Sequence, residues 1–208
     1  MVSTEVFSNP QGGGVSIGVL PTVDGELFGY LVLVTDTERN IEWVRRFWGA
    51  RVVLRTGVIY TTSLRSGLVT HVAWLYVESP KPHGEIIQQF RGLHSIGAGY
   101  KVKIIKPVTL RAPVRNWGEA LQLAYEVLAR HKPPVKRIQV RTRGHGCGCS
   151  RELFKNLRDI VAKMGYRTTS HSGRRYILEV MTWPRWKYNG LPIVTIGLYP
   201  HDQVLYLF

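Results

Sequence analysis

The stretch VKRIQVRTRGHGCGCSRELFKNLRDIVAKMG, residues 135–165, decides how this chain reads. It begins as a strand: Val135, Ile138 and Val140 alternate with Lys136, Arg137 and Arg141, the phase slipping near Arg137. A glycine-rich loop, 143–149, follows. Ser150 offers an N-cap oxygen, and Leu153, Phe154, Leu157, Ile160, Val161 and Met164 recur at helical spacing over 151–164. Gly165 stands where a helix C-terminus favours a left-handed residue. A strand passed through a short loop to an amphipathic helix is a building unit of an α/β (α+β) fold.

The pattern extends in both directions. Upstream, 100–110 is a strand candidate. Residues 116–130 form a helix with Trp117, Ala120, Leu121, Ala124, Val127 and Leu128 on one face, ended by Pro133 and Pro134. Downstream, 167–170 and 176–181 are expected to pair as a hairpin around Ser172 and Gly173. The order is strand–helix–strand–helix–strand–strand, with 191–198 adding a C-terminal strand extension.

The N-terminal region is β-rich. Strands are expected at 15–20, 27–34, 51–60 and 69–77, and a helix over 37–48 aligns Ile41, Val44, Phe47 and Trp48. Residues 1–14, ending in three glycines, read as a frayed leader, and the type of 84–90 stays open. Gly92, Gly97 and Gly99 mark a boundary. It separates a β-rich domain of unassigned role, 1–99, from a basic domain, 100–208, whose tail is 183–208.

Charge separates along the same line. Of a net +14, residues 130–189 carry 15 Lys and Arg against Glu152, Asp159 and Glu179, or 15 − 3 = +12. The first 44 residues hold Arg39 against six carboxylates, or 1 − 6 = −5. Positive charge gathered in one region is the footprint of a polyanion binder, and nucleic acid is the default polyanion. No apolar run approaches the roughly 18–20 residues of a membrane span, and the N-terminus lacks the marks of a secretory signal. Both cysteines fall in one loop, which suits a reduced cytoplasmic setting, and the composition suits a thermophile.

Two short motifs carry a resemblance. Pro113-Val114-Arg115-Asn116-Trp117 opens the first helix of the basic domain, and Ile138-Gln139-Val140-Arg141-Thr142-Arg143-Gly144 ends its second strand. With the element order over 100–182, they resemble the Alba superfamily of nucleic-acid-binding proteins. That resemblance implies a dimer binding duplex DNA or RNA. It places the contacts at Arg111 and Arg115 before the first helix, Arg141 and Arg143 at the end of the second strand, and Arg174 and Arg175 on the final hairpin. The chain departs from the family in having Arg111-Ala112 where adjacent lysines are usual. Its hairpin is also shorter, and it carries a large N-terminal region and a tail.

A basic face can be argued from the residues alone. Arg151, Lys155 and Arg158, at i, i+4 and i+7, form one line opposite the apolar stripe. Arg141 and Arg143, with Lys136 on the same strand, lead to the N-terminus of that helix, where unpaired N–H groups favour an anion. Gly144 lets a phosphate approach the backbone. Arg185 lies among Trp183, Trp186, Tyr188 and Tyr199, a mixture that suits either base stacking or packing of the tail.

His145, Cys147 and Cys149 offer three soft ligands with His171 as a fourth, but lack the spacing of structural zinc, so no metal or other cofactor is assigned. The expected function is a nucleic-acid-binding protein that contacts phosphates with little sequence readout, with RNA favoured over DNA. A nuclease using His145 and His171, and a structural subunit of a ribonucleoprotein or viral particle, stand as alternatives. The acidic N-terminal region is left to dock a protein partner.

Overall fold

The computed structural model describes residues 27–35, 38–56, 59–62, 69–95, 102–144, 150–169 and 176–206. In chain order the elements are β1 (Phe28–Thr35), α1 (Glu38–Trp48), β2 (Arg51–Arg55), β3 (Ile59–Thr62), β4 (Val69–Ser79), α2 (His83–Ser95), β5 (Val102–Val108) and β6 (Leu110–Pro113). Then follow α3 (Trp117–His131), β7 (Arg137–Gly144), α4 (Ser150–Lys163), β8 (Arg167–Thr168), β9 (Tyr176–Tyr188), β10 (Leu191–Pro200), a 3-10 turn (His201–Gln203) and β11 (Leu205–Tyr206). The fold is α+β, with two sheets and four helices among the described residues.

The first sheet runs β11-β5-β1-β4-β2, with β3 also on β4, and every pairing is antiparallel. Strand alternation sorts its two faces. Tyr30, Val32 and Val34 of β1 join Val44 and Trp48 of α1 and Ile86 and Phe90 of α2 in one core. Leu31 points the other way, with Trp74, Tyr76 and Ile104.

The second sheet runs β6-β10-β9-β7-β8, and α3 and α4 cover one face. Asn116 caps α3 by accepting from the Glu119 N–H at 3.0 Å, while the Glu119 carboxylate accepts from the Arg115 N–H at 2.7 Å. These two bonds satisfy donors that a helix start leaves unpaired. Ala120, Leu123, Ala124, Val127 and Leu128 of α3 meet Leu153, Leu157 and Val161 of α4 over the sheet.

The faces turned away from the helices meet each other. Leu31, Trp74, Tyr76, Ile104 and Val108 of the first sheet pack with Met181, Trp183, Trp186 and Ile193 of the second. The chain passes directly from β5 into β6 at Thr109, whose N–H bonds Ile196 O at 2.8 Å. Its hydroxyl accepts from the Leu198 N–H at 2.9 Å.

The Alba-like domain expected over 100–182 is corrected by this topology. Its first strand is divided: β5 pairs with β1 in the first sheet, and only β6 enters the second. Its final hairpin does not form, because β8 and β9 both lie parallel to β7, one on each side. The reason lies in β9, where Ile177 to Trp183 are all buried. A strand buried on both faces belongs in a sheet's interior, and a two-residue β8 is too short to flank it. The tail strand β10 is likewise no extension, since it lies between β6 and β9.

Further differences are local. Residues 84–90 belong to the helix α2, and the strand expected over 51–60 is the two strands β2 and β3. The leader 1–14 and the strand expected at 15–20 lie outside the described residues. No helix among the described residues is long and apolar enough to cross a membrane.

Candidate nucleic-acid interface

The cations of the two halves are handled differently. In the N-terminal half several meet carboxylates: Glu42 takes Arg46 at 2.8 Å and Arg45 at 3.4 Å, Glu78 takes Arg51 at 2.5 Å, and Glu38 takes Arg55. Of the 15 cations in 130–189, Arg174 and Arg175 lie outside the described residues. Among the remaining 15 − 2 = 13, twelve are exposed and Arg141 is half-buried. Most of this charge reaches solvent, though Arg143 also stands 3.8 Å from Glu179.

They gather around β7, β8 and α4. On α4 the stripe Leu153, Leu157 and Val161 is buried, which leaves Arg151, Lys155 and Arg158 exposed. Arg158 Nη2 donates to Thr168 Oγ1 on β8 at 3.3 Å, tying this flank of the helix to the sheet edge. On β7, Ile138 and Val140 face the helices, so Gln139, Arg141 and Arg143 line the opposite face. Arg141 Nη2 donates to Gln139 Oε1 at 3.0 Å. Lys136 is exposed just before the strand, and Arg137 pairs in register with Arg167, both exposed. Positive charge therefore borders the β7–β8 side of the sheet on both faces.

Other expected contacts are elsewhere. Arg111 on β6 is turned inward: its side chain is 16% exposed, its guanidinium lies 4.6 Å from the centre of the Tyr76 ring, and it stands 3.8 Å from Glu78. Arg115 is exposed at the start of α3, across the sheet from β7, and stands 3.9 Å from Glu119. Gly144 ends β7 opposite Thr182. Arg185 is exposed where β9 shifts register against β10 between Pro192 and Ile193. Trp183, Trp186 and Tyr199 are buried, whereas Tyr188 is exposed. His145, Cys147, Cys149 and His171 lie outside the described residues. Among the described residues no three His, Cys, Asp or Glu side chains converge as a metal-binding group.

The sequence reading missed a buried polar cluster beneath Arg143. Glu179 on β9 accepts from Lys106 Nζ at 2.7 Å and from the Tyr199 hydroxyl at 2.6 Å, and Arg143 Nε stands 3.8 Å away. Burial alone raises a carboxyl's pKa, but the Lys106 ammonium and these donors outweigh it and hold Glu179 below the usual range. Burial pulls the Lys106 ammonium down, with Glu179 opposing. Part of the signal was present in the sequence. The glutamate in YILEVMTW interrupts a largely apolar strand and so suits a buried partner, whereas VKIIKPV offers two lysines, Lys103 and Lys106, between which its sequence does not choose.

No family model matches the chain, and no curated protein matches it in sequence. Three solved structures have a similar outline. One is a 4-thiouridine synthetase–RNA complex with bound ATP, at 12% identity and a TM-score of 0.48, covering 84% of this chain and 42% of the other. The second is TrmN from Thermus thermophilus, at 12% identity and 0.45, covering 84% and 47%. The third is a predicted N6-adenine-specific DNA methylase from Listeria monocytogenes, at 12% identity and 0.44, covering 83% and 40%. The chain spans about half the length of these proteins or less.

The expected function is corrected with the fold. A phosphate-binding Alba-type protein needs Arg111 in an outward loop and a terminal hairpin, and neither is present. The dimer implied by that resemblance loses its basis. The nuclease alternative rested on His145 and His171, which lie outside the described residues.

Proposed function

We propose that this chain is the substrate-holding part of an enzyme that modifies RNA, with the chemistry carried by a separate catalytic unit. One observation carries the reading: the C-terminal half holds a dense group of mostly exposed cations around β7, β8 and α4, while several of the N-terminal half's cations sit in ion pairs with carboxylates. Clustered positive charge on a folded surface attracts a polyanion, and each phosphate bound there releases counterions. The part assigned to 100–208 is contact with the RNA backbone through Arg141, Arg143, Arg151, Lys155 and Arg158.

The test has two arms. Affinity for a structured RNA is measured across a salt series, for the parent chain and for Arg151→Ala/Lys155→Ala/Arg158→Ala. The parent is expected to lose affinity steeply with salt, and the variant more shallowly. In the second arm the gene is deleted from its host and total RNA is digested to nucleosides. Loss of one modified nucleoside is expected, restored by the parent chain and not by the triple variant. An unchanged nucleoside profile would overturn the assignment to RNA modification.

A further inference from the structure

Phe154 is an exposed aromatic in the middle of the basic flank. Its side chain follows Leu153, which is buried in the core of the second sheet, so the helix turns Phe154 outward and leaves it 37% exposed. At i−3 and i+4 from it stand Arg151 and Arg158, on the same side of α4, with Lys155 adjacent. The three form a column, cation–ring–cation, about 10 Å long at 1.5 Å per residue.

Arg158 is held at one end by Thr168, with its guanidinium carbon 5.8 Å from the Phe154 ring centre. Anchored there, it lies over the ring in a cation–π contact, and the part of the side chain it does not cover is exposed. An isolated exposed phenylalanine on a surface helix needs no explanation. This one sits in a line of cations and already attracts one of them, Arg158, to its ring.

We propose that the Phe154 ring is a stacking platform for one unpaired nucleobase of the bound RNA, with Arg151 and Arg158 holding the phosphates on either side of that nucleotide. This rests on the reading that the chain binds RNA, and it narrows the substrate to RNA carrying an unpaired nucleotide at the bound segment. Charge complementarity fixes the occupant: the ring offers a base its π-face, and the flanking cations require phosphates at both ends. A paired base cannot lie on the ring without leaving its partner.

The test uses the full chain and two RNAs of equal length and charge, one a perfect hairpin and one with a single unpaired 2-aminopurine. The parent is expected to bind the second more tightly and to quench its fluorescence. Phe154→Leu keeps an apolar side chain but no ring. It is expected to bind the unpaired RNA about tenfold more weakly, the equivalent of one stacked base. It should leave the hairpin affinity and the salt slope unchanged. Phe154→Trp is expected to restore both affinity and quenching, which separates stacking from a loss of fold. Equal affinity of the parent for the two RNAs, or parent-like binding by Phe154→Leu, would overturn the platform while leaving RNA binding intact. Binding to neither RNA would overturn the parent reading instead.

Discussion

Glu179 shows how single residues set the terms on which this fold holds. Its carboxylate is 3% exposed and is satisfied by Lys106, Tyr199 and, more distantly, Arg143. Lys106 comes from the first sheet and the other groups from the second, so one carboxylate ties the two together. Removing one member of a buried pair strands the other charge, which costs about 3–5 kcal/mol. Glu179→Gln is therefore expected to lower stability by about that much in urea unfolding. Lys106→Met/Glu179→Leu, which strands no charge, is expected to recover most of the loss. A double variant as unstable as Glu179→Gln would show that the pair is not the source.

Two other buried groups set pH limits. Burial pushes the Tyr76 hydroxyl up to about 12, with Arg111 opposing and Glu78 reinforcing the rise. The unfolded chain releases that proton near the ordinary tyrosine value of 10, so stability is complete below 10 and is lost as pH rises from there toward 12. Burial acts the opposite way on His83, whose imidazole lies below the ordinary histidine value of 6.5, with the Gly29 carbonyl opposing. The unfolded state then takes up the proton first, so stability falls as pH drops below 6.5. Urea midpoints across pH 5–7 are expected to rise with pH in the parent, and a His83→Gln variant should flatten that rise.

At the scale of elements, glycine has a packing role at one crossing. A Cβ on Gly197 of β10 would lie 2.7 Å from the Pro107 carbonyl oxygen and 2.5 Å from the Tyr199 ring. The first contact is with backbone, which cannot swing aside. Gly197→Ala is expected to cost about 1–3 kcal/mol, the usual price of overpacking, measured as a lower unfolding midpoint at unchanged m-value. The element pattern also explains what could be read in advance. Helices α3 and α4 were legible because each joins a 3.6-residue apolar stripe to a local terminator: Asn116 before α3, and Gly165, at φ +84°, after α4. The partners of β9 were not legible. Residues 167–170 and 176–181 look like a hairpin because they are adjacent, whereas parallel pairing with β7 depends on both faces of β9 being covered, partly by a sheet far earlier in the chain. Lys106 and Glu179 were hidden for the same reason, since each finds its partner 73 residues away.

The whole molecule follows from the layer where the two sheets meet. The charge segregation that suggested a polyanion surface was visible in the sequence, and so was the α+β class. The sharing of a core between 1–99 and 100–208 was not, because it depends on β5 joining the first sheet before the chain crosses into β6. Trp183 stands at the centre of that layer. Its ring stacks on Trp186 at 4.2 Å, meets Trp74 edge-on at 5.9 Å, and donates from Nε1 to Thr195 Oγ1 at 2.9 Å. A core of this kind couples the two sheets in unfolding, so amide exchange in β1 and in β9 should report one common global opening free energy. Trp183→Ala opens a cavity between the sheets and is expected to lower that value by about 3–5 kcal/mol in both strands together. If exchange from β9 accelerated while β1 kept its parent protection, the sheets would be independent folding units. The boundary at residue 99 would then divide the stability of the molecule as well as its charge.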